Sequence, residues 1–139
     1  MNRRTLLKQG VLVAGAAMTS QWMPSALAQP IGANNRLRVG IIGLGIKGTQ
    51  HLQTIQTLPD VQVAALCDVD PQRLAKAKAS LEDQGGSVFE TTDLRKVLER
   101  RDVDAVIIAT ATHWHALATV WACEAGKDVY VEKPVGRTI

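Results

Sequence analysis

The feature that most constrains this chain is a set of three glycines placed directly after a short apolar segment. Leu37–Ile42 has the composition of a buried β-strand, and Gly43, Gly45 and Gly48 follow it in a G-x-G-x-x-G pattern that leads into a helix-forming segment. Glycines at this spacing allow a tight turn, a close approach of the backbone to a pyrophosphate, and close packing of the helix on the strand. The pattern therefore predicts a dinucleotide-binding loop. Its predicted cofactor contacts are Gly43, Leu44, Gly45, Ile46, Lys47 and Gly48.

An acidic residue follows the second predicted strand, at the position where dinucleotide-binding units of this kind carry a ribose-binding carboxylate. Asp68 comes twenty residues after Gly48, directly after a second predicted strand at residues 61–67. A carboxylate in this position can accept a hydrogen bond from a ribose 2′-hydroxyl, and it repels a 2′-phosphate. The sequence thus favours NAD over NADP, while the nearby Arg73 keeps NADP as the alternative cofactor. The other interpretation of Asp68 is a plain surface turn residue.

Apolar strand-like runs alternate with helix-like segments along the rest of the chain. The helix-like segments carry recognisable start signals, such as Asp70 followed by Pro71. This alternation predicts an α/β fold with a parallel sheet and right-handed crossovers, and the glycine loop makes it a doubly wound, Rossmann-type sheet. The pattern does not predict the order of the strands. The predicted strands are residues 37–42, 61–67, 87–90, 104–109 and 128–131, and the predicted helices are residues 49–58, 71 to a stop at Gly85-Gly86, 93–100 and 113–125.

The first 28 residues have the features of an export signal. Arg3, Arg4 and Lys8 precede a stretch without charged residues from 9 to 35, and Ala26-Leu27-Ala28 has an A-x-A cleavage pattern. The arginine pair and its neighbours resemble the twin-arginine export motif. The apolar part is too short and too interrupted to span a bilayer well, so no stable membrane anchor is predicted. We expect a cleaved twin-arginine signal peptide and a periplasmic or exported protein.

The charge distribution argues against binding to nucleic acid. The chain has 139 residues, with 16 Lys and Arg against 13 Asp and Glu, and a net charge of +3. The three surplus basic residues all lie in the predicted signal, so the remainder carries 13 charges of each sign. It has no basic stripe with interleaved aromatic residues, and no nucleic-acid partner is expected. Residues 29–35 are predicted to be a linker, and residues 36–139 an incomplete NAD(P)-binding, Rossmann-type domain.

Two histidines and two cysteines raise the question of metal or disulfide chemistry. His113 and His115 flank Trp114, but no Cys or His partner with ligand spacing is nearby, so no metal site is predicted. This cluster is expected to border the nicotinamide pocket. Cys67 and Cys123 are predicted to be two small buried thiols rather than a disulfide.

Three segments together resemble the glucose–fructose oxidoreductase, inositol dehydrogenase and MocA family (Gfo/Idh/MocA). The first is the glycine loop with His51, a residue interpreted as packing or supporting rather than ligating. The second is residues 67–75. The third runs from Thr110-Ala111-Thr112-His113-Trp114-His115 to Glu132-Lys133-Pro134, which matches the E-K-P signature of the family. The similarity extends from about residue 37 to the end of the chain.

The resemblance implies roles for residues after the fourth and fifth predicted strands. By the family pattern, Lys133 is the catalytic-site lysine, placed where nicotinamide and substrate meet. There it can hydrogen-bond the reacting hydroxyl oxygen and stabilise negative charge. Glu132 would line the cofactor ribose or hold the loop, and Thr110 would contact the cofactor. His115 falls on the histidine of the family's T-P-x-x-x-H pattern and is another predicted cofactor contact, with Ala111 in place of the proline.

The resemblance also implies an oxidoreductase with two domains. In the family an α+β substrate domain follows the cofactor domain, and this chain reaches Ile139, just after the E-K-P signature. We therefore expect a longer, homo-oligomeric parent protein that uses NAD to oxidise a hydroxyl of a small-molecule sugar, cyclitol or glycoside. Two alternatives are an NAD-dependent glycoside hydrolase of the same family and a nucleotide-binding module without catalysis. The chain alone is expected to be inactive.

Overall fold

The computed structural model describes residues 36–81 and 87–136. The predicted signal peptide at residues 1–28, the linker at 29–35 and the helix stop at Gly85-Gly86 lie outside the described residues. The strands are β1 (Leu37–Ile42), β2 (Val61–Cys67), β3 (Phe89–Thr91), β4 (Ala105–Ile108) and β5 (Asp128–Val131). The helices are α1 (Ile46–Gln56), α2 (Pro71–Ala79), α3 (Leu94–Leu98) and α4 (His115–Glu124), and a 3-10 turn at Thr112–Trp114 precedes α4.

The strands form one parallel sheet in the order β3-β2-β1-β4-β5. β1 lies at the centre and pairs with both β2 and β4. Strands are added to one side of β1 up to β3 and to the other side from β4 onward. The order of the strands therefore reverses between β1 and β4. In open α/β sheets, ligands bind in the crevice at the carboxyl ends of the strands where this reversal occurs. The α/β class and the parallel, Rossmann-type sheet predicted from the sequence are confirmed.

The sheet has a hydrophobic core on each face, which explains why the buried part of its central strand, from Val39 to Ile42, is apolar. Val39 and Ile41 of β1 belong to the core under α1 and α2, whereas Ile42 belongs to the core under α3 and α4. A strand covered on both faces has no solvent side on which to place polar residues. Gly40 lets α3 come close to the sheet, because a Cβ there would stand 2.8 Å from Cγ1 of Val97.

Short side chains define where several helices begin and end. The carboxylate of Asp70 accepts a hydrogen bond from an N–H group in the first turn of α2, and Asp93 does the same for α3. These are the N-cap contacts expected of aspartate. Helix α1 begins at Ile46 rather than at residue 49 as predicted, because the glycine loop feeds directly into it. Gly126 ends α4 with a φ of +70°, a conformation that glycine adopts without strain.

The two cysteines lie in different environments. Cys67 is buried at the end of β2, and this burial raises the pKa of its thiol to about 12. Cys123 is exposed, so the prediction of two buried thiols is wrong for this residue. The buried residues of α4 include Ala118 and Ala122. Since each helical residue turns about 100° from the one before, the residue after Ala122 leaves the buried face.

Within residues 36–81 and 87–136, no helix has both the length and the apolar character needed to cross a membrane. In the same ranges, no three His, Cys, Asp or Glu side chains come together as a possible metal site. His113 is exposed and His115 is buried, so the two histidines that flank Trp114 occupy different surroundings.

Candidate dinucleotide-binding site

The ends of three neighbouring strands lie at the same level of the sheet. Ile42 of β1 pairs with Ile108 of β4, which in turn pairs with Val131 of β5. Main-chain hydrogen bonds continue this alignment, since the N–H of Ala109 donates to the oxygen of Ile42 at 2.8 Å and the N–H of Glu132 donates to the oxygen of Ile108 at 3.0 Å. The predicted site residues brought to this edge are Gly43, Asp68, Thr110, Glu132 and Lys133.

Gly43 and Gly48 have to be glycines, because main-chain atoms occupy the space that a Cβ would need at each of them. Gly43 has a φ of +94°, and a Cβ on it would stand 2.6 Å from the oxygen of Ala109. A Cβ on Gly48 would stand only 1.8 Å from the oxygen of Gly43. No L side chain fits at that distance, so the absence of a side chain at Gly48 is what allows α1 to start directly against the end of β1.

The third glycine borders open space. The nearest heavy atom to a Cβ on Gly45 would be Nη1 of Arg73, at 3.6 Å. Gly45 is also the N-cap of α1, where it supplies no side-chain cap, and the first turn contains no acidic residue. The first N–H groups of a helix have no partner within the helix and carry its positive end. A cradle of this kind, open at Gly45 and lined by N–H donors, fits the pyrophosphate of a dinucleotide.

Asp68 is buried and holds the glycine loop. Its side chain accepts hydrogen bonds from the N–H of Leu44, at 2.6 Å, and from the N–H of Asp70, at 2.9 Å. The residue is only 7% exposed, so the interpretation as a plain surface turn residue is wrong. Each oxygen keeps a second lone pair, so this loop contact and the predicted ribose contact are compatible. The ribose contact itself stays a prediction.

Arg73 lies beside this carboxylate and over the loop. Its Nη1 is 3.9 Å from Oδ2 of Asp68, and its Nε is 3.5 Å from Oδ2 of Asp70. The guanidinium is therefore close to the carboxylate that is predicted to contact the ribose. The sequence indicated Arg73 by proximity alone, and the structure adds that it is the neighbour of the open glycine.

Glu132 is paired with a histidine that the sequence did not connect to it. Nε2 of His51, on α1, lies 2.6 Å from Oε1 of Glu132, and both side chains are largely shielded. The hydrogen bond from His51 is the main reason that the pKa of Glu132 lies below its ordinary value. The ring of His51 also meets the ring of Tyr130 edge-on, with centroids 5.2 Å apart. Sequence position alone could not bring these residues together, since they are 81 positions apart.

His115 is buried between two loops of the site. Its Nδ1 lies 2.9 Å from the oxygen of Pro134, and its Nε2 lies 3.1 Å from the oxygen of Thr110. Both ring nitrogens are therefore engaged by main-chain carbonyls. Lys133, between Glu132 and Pro134, is exposed, and the peptide bond from Lys133 to Pro134 is cis. Direct contact of His115 with the cofactor stays a prediction.

The parallel sheet, the glycine loop and the open helix N-terminus define a dinucleotide-binding Rossmann domain. A family model described as an oxidoreductase family with an NAD-binding Rossmann fold, Gfo/Idh/MocA, matches residues 37–139. The chain belongs to this family, as the resemblance of its three segments predicted.

Curated relatives and solved structures agree with this assignment. The chain is 33% identical over its whole length to a glycosyl hydrolase family 109 protein of Shewanella pealeana, and 37% identical over 74% of its length to one of Bacteroides fragilis. It spans 35% and 23% of those two proteins. Among solved structures, it resembles myo-inositol 2-dehydrogenase of Lactobacillus plantarum with a TM-score of 0.68 and 31% identity, covering 75% of this chain and 30% of that one.

A second solved structure contains ligands. Scyllo-inositol dehydrogenase of Lactobacillus casei, with bound NAD(H) and scyllo-inositol, matches with a TM-score of 0.66 and 32% identity. The match covers 73% of this chain and 29% of that one. The similarity is thus to the cofactor-binding part of longer proteins.

The contact between α1 and β1 predicts the effect of a small substitution. Gly48→Ala should lower the free energy of unfolding by about 2 kcal/mol or more, because the strain of a Cβ at 1.8 Å outweighs the roughly 1 kcal/mol that alanine gains in a helix. Urea denaturation of the purified protein measures this. Gly45→Ala is the matched control, since its Cβ has room, and it should unfold within about 1 kcal/mol of the parent. Equal stability of the Gly48→Ala protein and the parent would contradict the close contact.

Proposed function

We propose that this chain is the cofactor-binding part of an NAD-dependent oxidoreductase that acts on a hydroxyl group of a sugar, cyclitol or glycoside. The observation that carries the proposal is the register of the sheet, which puts the glycine loop and the Glu132-Lys133-Pro134 turn at the same edge. With β4 between them and strands about 4.8 Å apart, the backbones of Gly43 and Glu132 are about 10 Å apart. A dinucleotide seated on the loop can therefore extend toward Lys133.

Each group at this edge has a chemical task in the proposed reaction. The first-turn N–H groups of α1 hold the pyrophosphate, and the buried carboxylate of Asp68 accepts a hydrogen bond from the adenosine ribose. Thr110, Glu132 and His115 are the proposed contacts on the nicotinamide side. When bound, NAD supplies the acceptor for a hydride. The substrate hydroxyl gives up its proton to solvent, and Lys133 donates a hydrogen bond to its oxygen and stabilises the negative charge as the carbon is oxidised.

The substrate class is supported by what similar proteins bind. The Lactobacillus casei structure contains scyllo-inositol together with NAD(H), and a levoglucosan dehydrogenase in complex with NADH matches at 31% identity and a TM-score of 0.66. Both are named for oxidising cyclic polyhydroxylated compounds. The curated relatives named as family 109 glycosyl hydrolases favour a second candidate, an NAD-dependent glycoside hydrolase. Both candidates use the same cofactor edge, and a module without catalysis is the third.

The full-length protein, incubated with NAD and scyllo-inositol or another cyclitol or sugar, should form NADH in step with the oxidised product. Lys133→Met should lower this rate at least about a hundredfold, because a positioned hydrogen-bond donor to a developing negative charge contributes that much or more. Lys96→Met, at an exposed lysine of α3, is the matched control and should keep the parent rate. Cleavage of a glycoside without net NADH would support the hydrolase instead. Full activity of Lys133→Met would contradict the role of this lysine.

Cofactor preference can be measured on the same protein by titration calorimetry. NAD should bind at least about tenfold more tightly than NADP, equivalent to about 1.4 kcal/mol, because the carboxylate of Asp68 repels a 2′-phosphate. Gly45→Ala should fold normally yet bind NAD more weakly, since its Cβ enters the space left for the pyrophosphate. Tighter binding of NADP would overturn the preference for NAD. It would indicate that Arg73 attracts the 2′-phosphate more strongly than Asp68 repels it.

Export is proposed from residues 1–28 alone, which lie outside the described residues. The arginine pair supports the twin-arginine route, which carries folded proteins and would let the domain bind its cofactor before transport. Changing Arg3-Arg4 to Lys-Lys should abolish delivery to the periplasm, as measured by cell fractionation and immunoblotting. A variant with only Lys8→Gln is the milder comparison. Undiminished periplasmic protein in the double-lysine variant would refute this route.

A further inference from the structure

The position of Lys133 depends on the turn that carries it. Its side chain is exposed and has a flexible four-carbon stem, so its own packing does little to place the ammonium group. The main chain on either side of Lys133 is held by hydrogen bonds from other parts of the fold. Two of the groups involved are histidines, and the family resemblance assigned a supporting role to only one of them.

The first of these contacts acts through Glu132. Nε2 of His51 lies 2.6 Å from the carboxylate of Glu132, and the two side chains are 22% and 17% exposed. The main-chain N–H of Glu132 donates to the oxygen of Ile108, at 3.0 Å. Backbone and side chain of Glu132 are therefore bonded to two different elements, β4 and α1. A short contact of this kind, largely shielded from water, is stronger than an exposed pair.

The second contact lies on the other side of Lys133. The ring of His115 is 2% exposed, with one nitrogen against the oxygen of Pro134 and the other against the oxygen of Thr110. Carbonyl oxygens only accept, so each hydrogen bond requires an N–H on the ring. A neutral imidazole supplies one such donor and a protonated imidazole supplies two. Loss of the ring would remove the donor that a half-buried or exposed main-chain carbonyl now faces, and with it a hydrogen bond between α4 and the loops at Thr110 and Pro134.

We propose that His51 and His115 are positioning residues that hold the Glu132-Lys133-Pro134 turn from both sides, and so set where the ammonium group of Lys133 stands. The two histidines come from α1 and α4, the helices that start at the cofactor edge. α1 begins at the glycine loop and α4 begins just after Thr110. The turn is therefore held by the same two helices that start at the proposed cofactor site. The position of Lys133 thus depends on the elements that form this site.

This inference rests on the proposed function, because it treats Lys133 as the reacting group. Its test needs neither substrate nor turnover, so the two can fail separately. A fully active Lys133→Met variant would contradict the proposed role of this lysine, and absence of NADH formation would contradict the proposed function, but both leave the anchoring of the turn to be measured. The full-length protein is used throughout, with NAD as the added ligand.

The variants separate hydrogen bonding from the space that each ring fills. His51→Phe and His115→Phe keep a planar ring but remove the donors. His115→Gln keeps an amide group with two N–H donors. Gln53→Phe, at an exposed position of α1, is the matched control for His51→Phe. Circular dichroism and the unfolding midpoint establish that each variant is folded.

Two local measurements report on the turn. Hydrogen exchange of the peptide covering residues 131–136 should become about tenfold faster in both phenylalanine variants, with peptides from β1 and β2 unchanged. The rate at which a small acylating reagent labels Lys133 should change about threefold or more in the same variants. His115→Gln should restore both values toward those of the parent, and Gln53→Phe should leave both unaltered. NAD should slow exchange of the turn in the parent more than in His51→Phe.

Several results would overturn the proposal. Unchanged exchange and labelling in a folded His51→Phe protein would show that the turn does not depend on this contact. An equal effect of His115→Gln and His115→Phe would show that the ring acts by filling space. If His115→Phe does not fold, because its site is buried, His51→Phe and His115→Gln still decide the matter.

Discussion

The direct contact between the start of α1 and the end of β1 is the constraint on which the rest of the site depends. A Cβ on Gly48 would stand 1.8 Å from the oxygen of Gly43, so the helix can begin there only because that position carries a hydrogen. The first-turn N–H groups of α1 are thereby brought to the edge of the sheet. The same placement brings His51, farther along the helix, within 2.6 Å of Glu132.

Electrostatics at this edge combine a positive helix end with a buried negative group. The first turn of α1 contains no acidic residue, so its N–H groups can receive a phosphate. Asp68 is buried at the neighbouring strand end, where N–H groups of Leu44 and Asp70 satisfy its charge. One carboxylate thus stabilises the loop and faces the proposed ribose position. Its loss would therefore affect the stability of the loop as well as the proposed ribose contact.

Local sequence signals predicted some elements better than others. The strands at residues 61–67 and 128–131 match β2 and β5, and Asp70 caps α2 as expected, because these depend on apolar runs and on neighbouring residues. The start of α1 was predicted three residues late, since a glycine-rich loop has low helix propensity and the helix there is stabilised by packing. Cys123 was predicted to be buried and is exposed, because an apolar helix does not reveal which face packs on the sheet.

The sequence by itself determined the α/β class, the glycine loop and the family, and it predicted which candidate site residues follow the strand ends. These features can be predicted from the spacing of residues, because each motif lies within one loop or within one strand and the residues next to it. Only the tertiary structure decided the strand order, the pairing of His51 with Glu132 and the placement of His115 between Thr110 and Pro134. These contacts join residues from different elements, and they form only when the parallel sheet brings the ends of β1, β4 and β5 to one level.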